Sequence, residues 1–492
     1  MKINFQKEFD RSLIRAIYGK PVPHVSSLEY NSKNVKQYTA FFCIPGEKFD
    51  GHQFIEDALT RGASVIIGTQ SQHLRHLSFR YPETTFILVY DVKYFMARFS
   101  AVFYNSSYTH LSTFAVTGTN GKTTVVSYIR SLLNYLGVPT GSIGTAGIWD
   151  DQIKLDLNHS THTTPEAPDL HRALDTFYTQ KLKAVAIEVT SIALEQQRVA
   201  DMLFDVGIHT NLTPEHLDFH SSFEEYKQAK LKLFRQVKTA VVNLDDLGMA
   251  QDILHSFEGP LLTYSLIQEA DVMAQAIETR KEGTDFELRI HDFSAQVHSP
   301  IYGAFNVSNL LAAICACLQL NIAPALLAEA VEEVGNTAGR FEVFDHYADY
   351  TLILDFAHTP SGLESVVKTA QDLPHNRLIL LITGVGLRDP RQRPQLARAV
   401  EGKADEIIVS VDHPHFFDRQ MIADDVLKGF QGAKRNVQVI LQREEAIHAA
   451  LSQAQAGDIV LLTGLGSGGY QVIEGQNIPY SDEEVIQRYF QE

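Results

Sequence analysis

The residues best suited to chemistry form a glycine loop followed by a lysine and two threonines: Gly118-Thr119-Asn120-Gly121-Lys122-Thr123-Thr124. A short apolar run, 114–116, precedes it. After it Val125, Ile129, Leu132, Leu133 and Leu136 recur on one face of a helix. Strand, glycine loop, lysine and helix in this order make a phosphate cradle. The glycines let backbone N–H groups approach phosphate oxygens, and the helix start adds a positive dipole end. Lys122 can neutralise charge on the β- and γ-phosphates, and the Thr123 hydroxyl can ligate Mg²⁺. The first glycine of the longer GxxxxGK[ST] loop would fall at Val116, so the shorter loop points away from GTPases and common ATPases.

Other polar residues end predicted strands. Glu188 closes the run that begins at 184; a parallel sheet would set its carboxylate beside the phosphate loop. There it could hold Mg²⁺, the preferred reading given the loop upstream, or simply cap a helix. His216 lies in the loop after the run 204–209, where a histidine alone is ordinarily just solvated. Spacing does not separate Lys230 from the other lysines of a wetted helix face. Asn243-Leu-Asp-Asp246 suits ribose or adenine hydrogen bonding and equally suits a turn. Asp355-Phe-Ala-His358-Thr-Pro360 and Gly384-Val-Gly-Leu-Arg388-Asp389 end two further runs facing a cleft, or are ordinary loop polarity.

Strands and helices must position these groups. The chain has 492 residues, enough for about three domains. Its 45% hydrophobic and 21% charged content is that of a water-soluble globular protein. Residues 1–108 hold strand candidates 39–44 and 64–67 and a helix near 54–61, a small α/β unit. Over 109–337, strands 113–117, 184–189, 204–209 and 240–243 alternate with helical patterns. That implies a mostly parallel, doubly wound sheet that binds ligand at its carboxyl edge. The alternation restarts over 338–492 with 352–355, 378–383, 406–411, 437–441 and 459–463, a second, Rossmann-like α/β sheet. The net charge of −17 argues against a general nucleic-acid or anionic-membrane surface. Cys43, Cys315 and Cys317 show neither a disulfide framework nor metal-ligand spacing. No signal-like apolar core or membrane-length apolar run occurs. A cytoplasmic protein is expected, monomeric, inserting into no membrane and binding no nucleic acid.

Several segments, in order along the chain, resemble the Mur ligase family, most of all its type that extends UDP-N-acetylmuramoyl-dipeptide. They are Phe41-Phe-Cys-Ile-Pro-Gly46 with Asp50-Gly-His-Gln-Phe-Ile55, Thr117-Gly-Thr-Asn-Gly-Lys-Thr-Thr124, Thr163-Thr-Pro165, and Glu188-Val-Thr-Ser191 with Arg198. Asn211-Leu-Thr-Pro-Glu-His-Leu-Asp218, Tyr226-x-x-Ala-Lys230, Gly303-x-Phe-Asn-Val-x-Asn309, Gly339-Arg-Phe-Glu342, Asp355-x-Ala-His-Thr-Pro360 and Gly457-Asp458 complete the set. The resemblance implies one domain each for UDP-sugar (1–108), ATP (109–337) and the incoming amino acid (338–492). It implies an acyl-phosphate route, in which ATP phosphorylates the peptide's free carboxylate and an amine then attacks, forming an amide and releasing phosphate. Lys122 and two Mg²⁺ would screen the repulsion between carboxylate and triphosphate. By the same resemblance, residues 118–124 with Asn306, Arg340 and Asp355 contact ATP. Thr123 and Glu188 hold one Mg²⁺; His216 and Lys230, the latter as a carbamate, serve the other. Lys122, Glu188, His216, Lys230 and His358 are the implied catalytic residues. Ser32 and His52 would face the UDP-sugar. Thr163, Thr164, Thr190, Ser191, Gln196 and Arg198 would face the sugar-peptide, and Arg388, Asp412 and His415 the amino acid.

The chain departs from the family where specificity resides. Asp-Ser-Arg reads Asn31-Ser-Lys33, the histidine of Glu-Val-Ser-Ser-His is Ile192, and the aspartate before the metal histidine is Glu215. The Asp-Asn-Pro-Arg of diaminopimelate-adding members reads Asp412-His-Pro-His415, without the arginine that grips a distal carboxylate. Gly-Lys-Gly-His-Glu reads Gly464-Leu-Gly-Ser-Gly468, which also lacks the carboxylate. On these grounds diaminopimelate is set aside. L-lysine is the leading expectation for the amino acid joined to UDP-N-acetylmuramoyl-L-alanyl-D-glutamate in peptidoglycan precursor synthesis. A related ligase with another acceptor, as in folylpolyglutamate synthesis, and a non-catalytic nucleotide-binding paralogue are the alternatives.

Overall fold

The computed structural model describes residues 1–20, 23–46, 49–157, 161, 163–215, 219–432, 436–464 and 469–491. The chain forms two compact units: Met1–Phe114 with Pro139–Asp205, and Ala115–Val138 with Val206–Glu492.

The first unit contains a five-stranded sheet in the order Ile14–Gly19, Thr85–Val89, Ala63–Gly68, Thr39–Phe42, Ser27–Glu29. Only the first pair is antiparallel. Thr39–Phe42 and Thr85–Val89 are buried along their whole length, as near-continuous apolar strands in a parallel sheet should be. Phe5, Phe9, Phe95 and Phe99 fill one face, with Phe5 and Phe99 edge-on at 5.2 Å between ring centres. The same unit holds the buried strand Ala184–Glu188, parallel to Thr140–Gly144, which turns back onto Gly147–Trp149. Helix Ala167–Thr179 is fastened by polar contacts: the Tyr30 hydroxyl donates to Asp169, which also takes Arg172 Nη2 at 2.9 Å.

In the second unit, helix Lys122–Tyr135 follows the glycine loop, and Val125, Ile129, Leu132 and Leu133 are buried as expected. Helix Ala304–Leu318 is apolar nearly all round and buried accordingly. The expectation of a mostly parallel sheet needs amendment here. Val237–Asn243, Leu261–Ser265 and Val272–Arg280 are parallel neighbours, but Gly283–Ile290 and Phe293–Ser299 then add an antiparallel meander. Two-residue turns, Lys281-Glu282 and His291-Asp292, join these strands. Gly283–Ile290 alternates buried and half-buried positions, a strand with one covered face, so the period-2 pattern was the available signal.

The last sheet runs Glu342–Phe344, Thr351–Asp355, Ile459–Thr463, Leu378–Val385, Glu406–Asp412, Val437–Val439. Only Glu342–Phe344 is antiparallel, and the middle strands Leu378–Val385 and Ile459–Thr463 are mostly apolar and almost wholly buried. A hairpin of Tyr470–Ile473 and Gln476–Pro479 follows, which the sequence reading did not foresee. Among the described residues no helix is long and apolar enough to cross a membrane.

Candidate functional site

Strand Ser112–Thr117 delivers the loop, and its two glycines are there for steric reasons. A Cβ on Gly118, at φ +152°, would lie 1.9 Å from the Thr210 hydroxyl. One on Gly121, at φ +88°, would lie 2.3 Å from Asn309 Oδ1. Asn211 frames the loop. Its carbonyl accepts from Thr119 N at 2.8 Å, and its Oδ1 accepts from Asn120 N at 2.9 Å. The Thr119 hydroxyl takes Thr213 N at 2.9 Å and lies 3.1 Å from the Tyr226 hydroxyl. The sequence reading gave neither Asn211 nor Tyr226 a role. Asn211's place directly after a strand end was a signal, whereas Tyr226 looks like any core aromatic.

Two lysines converge on this loop. Lys122 Nζ donates to the carbonyls of Gly118 and Thr119, each at 2.9 Å. Lys230 Nζ, from helix Phe223–Leu231, donates to Gly118 O at 2.8 Å and sits 4.6 Å from the centre of the Tyr226 ring. Burial strips hydration from Lys230 and the Lys122 charge repels its own; together they hold its amine well below the usual lysine range, against the pull of Glu215. His216, placed beside Lys230 by the family resemblance, lies outside the described residues.

The same unit brings further groups to the loop. Arg340 Nη2 donates to the Thr123 hydroxyl at 3.2 Å, with its guanidinium 4.5 Å from the Phe356 ring centre. Asp355 accepts Phe341 N at 2.7 Å and Ala357 N at 2.6 Å; burial raises its carboxyl, opposed by Arg340. His358 Nε2 is 3.4 Å from Glu215 Oε1. The charge of Arg388 reaches the Tyr226 hydroxyl. Asn306 is buried and donates to Tyr302 O at 3.1 Å. Thr124 is buried in the first turn of the helix. Lysine, arginine and histidine side chains thus gather where a polyanion would be held.

In the first unit, Glu188 has both carboxylate oxygens engaged by Thr145, through its N–H at 2.7 Å and its hydroxyl at 3.3 Å. Thr163 lies 3.1 Å from that hydroxyl. The Thr164 hydroxyl donates to Glu188 O at 2.8 Å and accepts Thr190 N at 3.2 Å. Arg198 donates to Thr164 O and to Gln196 Oε1, both at 2.7 Å, and meets Glu166 at 2.9 Å. These groups form one polar cluster. Thr190 also caps helix Ser191–Glu195, whose first residue is buried. Ser32 is buried against Asp57. His52 is buried, with Nδ1 at 2.6 Å from Asp50 and Nε2 accepting Thr69 N at 2.9 Å. Its ring nitrogens are both committed, so whatever it does for a ligand it does by orienting these two segments.

Asp412 ends strand Glu406–Asp412, and its Oδ1 accepts His413 N at 2.7 Å. Among the described residues, the buried Nδ1 of His415 has no hydrogen-bond partner. Burial raises the Asp412 carboxyl to about 6, with Arg443 opposing and Asp482 reinforcing. The folded chain therefore keeps a proton that the unfolded chain releases near the ordinary value of 3.8. Stability from this group is complete below about pH 4 and is lost as pH rises to 6. Asp412→Asn is expected to flatten that part of a plot of Tm against pH.

Three family descriptions match in order: "Mur ligase family, catalytic domain" over 24–104, "Mur ligase middle domain" over 116–317, and "Mur ligase, glutamate ligase domain" over 339–466. A UDP-N-acetylmuramoyl-L-alanyl-D-glutamate–2,6-diaminopimelate ligase of Geobacillus kaustophilus is 37% identical over 472 residues, 94% of each chain. The ligase of the same name in Clostridioides difficile is 34% identical, again over 94% of each. A solved structure with that name superposes with a TM-score of 0.68 at 28% identity, covering 100% of this chain and 99% of its own. The MurF ligase of Thermotoga maritima in complex with ADP has the same fold, with a TM-score of 0.64 at 17% identity over 95% and 97% of the chains.

These findings correct the reading that set diaminopimelate aside and put lysine first: full-length relatives at 32–37% identity are named for diaminopimelate. That reading rested on two short stretches. One is 464–468, of which 465–468 lie outside the described residues. In the other, His415 still offers a ring nitrogen that can donate to a carboxylate. Nearly the whole chain is covered by family matches and relatives, and it belongs to the Mur ligase family of ATP-dependent ligases.

Proposed function

We propose that the chain joins diaminopimelate to the free carboxylate of UDP-N-acetylmuramoyl-L-alanyl-D-glutamate, with ATP activating that carboxylate, in peptidoglycan precursor synthesis. The observation that carries this reading is the agreement of full-length relatives on one substrate pair. Three domains belong to the proposal: 1–108 for the UDP-sugar, 109–337 for ATP and 338–492 for the amino acid. Lys122, with Arg340 close to Thr123, orients and neutralises the triphosphate. Thr164, Gln196 and Arg198 hold the sugar-peptide, and Arg388, Asp412 and His415 receive the amino acid. Mg²⁺ takes hard oxygen ligands, and the Thr123 hydroxyl and Glu188 carboxylate are donors of that kind. When bound, the ion lowers the repulsion between carboxylate and triphosphate. Burial and the Lys122 charge shift Lys230 toward the neutral amine, the form that adds CO₂, so a carbamate there would supply an anion for the second ion.

Phosphate release with ATP and the UDP-dipeptide tests the substrate. With meso-diaminopimelate, turnover is expected; with L-lysine, kcat/KM should be about a hundredfold lower. Equal or better turnover with lysine, or none with diaminopimelate, would overturn the proposal.

A further inference from the structure

The loop that ends strand Glu406–Asp412 is bent tightly: His413 and His415, on either side of Pro414, have φ values of +39° and +55°. Against it lies the hairpin Tyr470–Pro479, held at three points. His415 N donates to Val472 O at 3.0 Å, and Glu474 N donates to His415 O at 2.8 Å. The third contact is not backbone to backbone: Val472 N donates to His413 Nδ1 at 3.0 Å. An imidazole thus supplies the acceptor that a neighbouring strand would otherwise offer. Because a backbone amide can only donate, Nδ1 must be unprotonated and the ring hydrogen sits on Nε2. Nε2 lies 4.0 Å from Asp412 Oδ2, and the ring meets Tyr470 edge-on at 5.8 Å. The loop is pinned from behind as well. A Cβ on Gly386 would come within 2.5 Å of His413 O, so the segment leading to Arg388 passes against the same bend.

We infer that His413 is a positioning residue for amino-acid binding: its Nδ1 clips the hairpin Tyr470–Pro479 to the loop that carries Asp412 and His415. The inference rests on the reading that this loop receives the amino acid. Without the clip, the Val472 carbonyl contact remains, but its half-buried N–H loses its acceptor. The hairpin then loosens, and the groups at 412 and 415 lose their fixed spacing.

Asparagine is the conservative replacement. Its Oδ1 stands where Nδ1 does relative to Cβ, and it tolerates a left-handed φ. Leucine keeps volume and loses the acceptor. The full chain would be compared as wild type, His413→Leu and His413→Asn. Hydrogen–deuterium exchange of 470–479 reads the clip directly, and KM for ATP, UDP-dipeptide and diaminopimelate reads its consequence. His413→Leu is expected to speed exchange in 470–479 and raise KM for the amino acid about tenfold, leaving the other two KM values within about twofold. His413→Asn is expected to restore both. The inference is overturned if exchange is unchanged in the leucine variant, if asparagine fails to rescue, or if all three KM values rise together. Faster exchange with an unaltered amino-acid KM would also overturn it. Failure of the substrate reading itself would be distinct, since wild type would then turn over nothing with diaminopimelate or would use lysine at least as well.

Discussion

With Lys230→Met the chain is expected to bind ATP within about threefold of wild type yet release phosphate about a thousandfold more slowly. The expected asymmetry follows from the surroundings of Nζ. Among the described residues, Nζ donates to the Gly118 carbonyl at 2.8 Å, and methionine can occupy the space over the Tyr226 ring. The loop glycines and Lys122 stay in place, so nucleotide affinity should change little. What disappears is an amine whose proton affinity is lowered by burial and by the neighbouring Lys122 charge. A loss of on the order of 4 kcal/mol in transition-state stabilisation corresponds to that rate change. Lys230→Arg sharpens the test: it keeps an N–H donor on a long side chain but cannot form a carbamate, and it should be as slow as methionine. Full activity of the arginine variant would sink the carbamate proposal; ATP binding lost in step with turnover would show that Lys230 merely props the loop.

The second large effect lies in the last sheet. Arg443 is completely buried and grips Asp482 with two hydrogen bonds, Nε at 2.8 Å and Nη2 at 2.6 Å. Its third nitrogen donates to the Thr383 hydroxyl and to Thr463 O. Burial works against the charge of Arg443, but Asp482 more than compensates and keeps the guanidinium protonated. Arg443→Met would leave Asp482 buried without its partner, a loss of about 3–5 kcal/mol. For a domain of this size that should lower the relevant calorimetric transition by roughly 10 °C. The double change Arg443→Met, Asp482→Leu should recover much of the loss, because the strain lies in one orphaned charge rather than in missing volume. A single variant that melts within about 2 °C of wild type, or a double variant no better than the single, would refute this account.

What the sequence revealed, and what it hid, follow from the range of the interactions. The glycine loop was legible because its constraint is local: Gly118 and Gly121 adopt backbone angles that other residues resist, and the apolar helix follows at once. The central strands of the last sheet were legible too, since Ile459–Thr463 and its neighbours each hold a run of apolar residues. Lys230 was not, because helix Phe223–Leu231 also carries Lys227 and only tertiary packing buries Lys230. Arg443 and Asp482 are 39 positions apart, and nothing near either marks the other as its partner. The meander through Val272–Ser299 was passed over in favour of a repeating strand–helix alternation, although its short turns were visible. The amino acid was not legible for a different reason: the missing arginine at 415 and the missing carboxylate in 464–468 point away from diaminopimelate, whereas the relatives are named for it.

The route of the chain through its two units has a consequence for biosynthesis. Residues 115–138 emerge from the ribosome before strand Ala184–Glu188, yet they belong with segments that begin only at 206. The first unit cannot close until about residue 205 has been made, and it must do so around a looped-out helix whose own partners do not yet exist. The five-stranded sheet of the first 89 residues can assemble early from nearby strands, but the phosphate loop waits for Asn211 and Asn309. Nucleotide binding should therefore be among the last properties a nascent chain acquires, so a chain truncated before Asn309 would bury much apolar surface without being able to bind ATP.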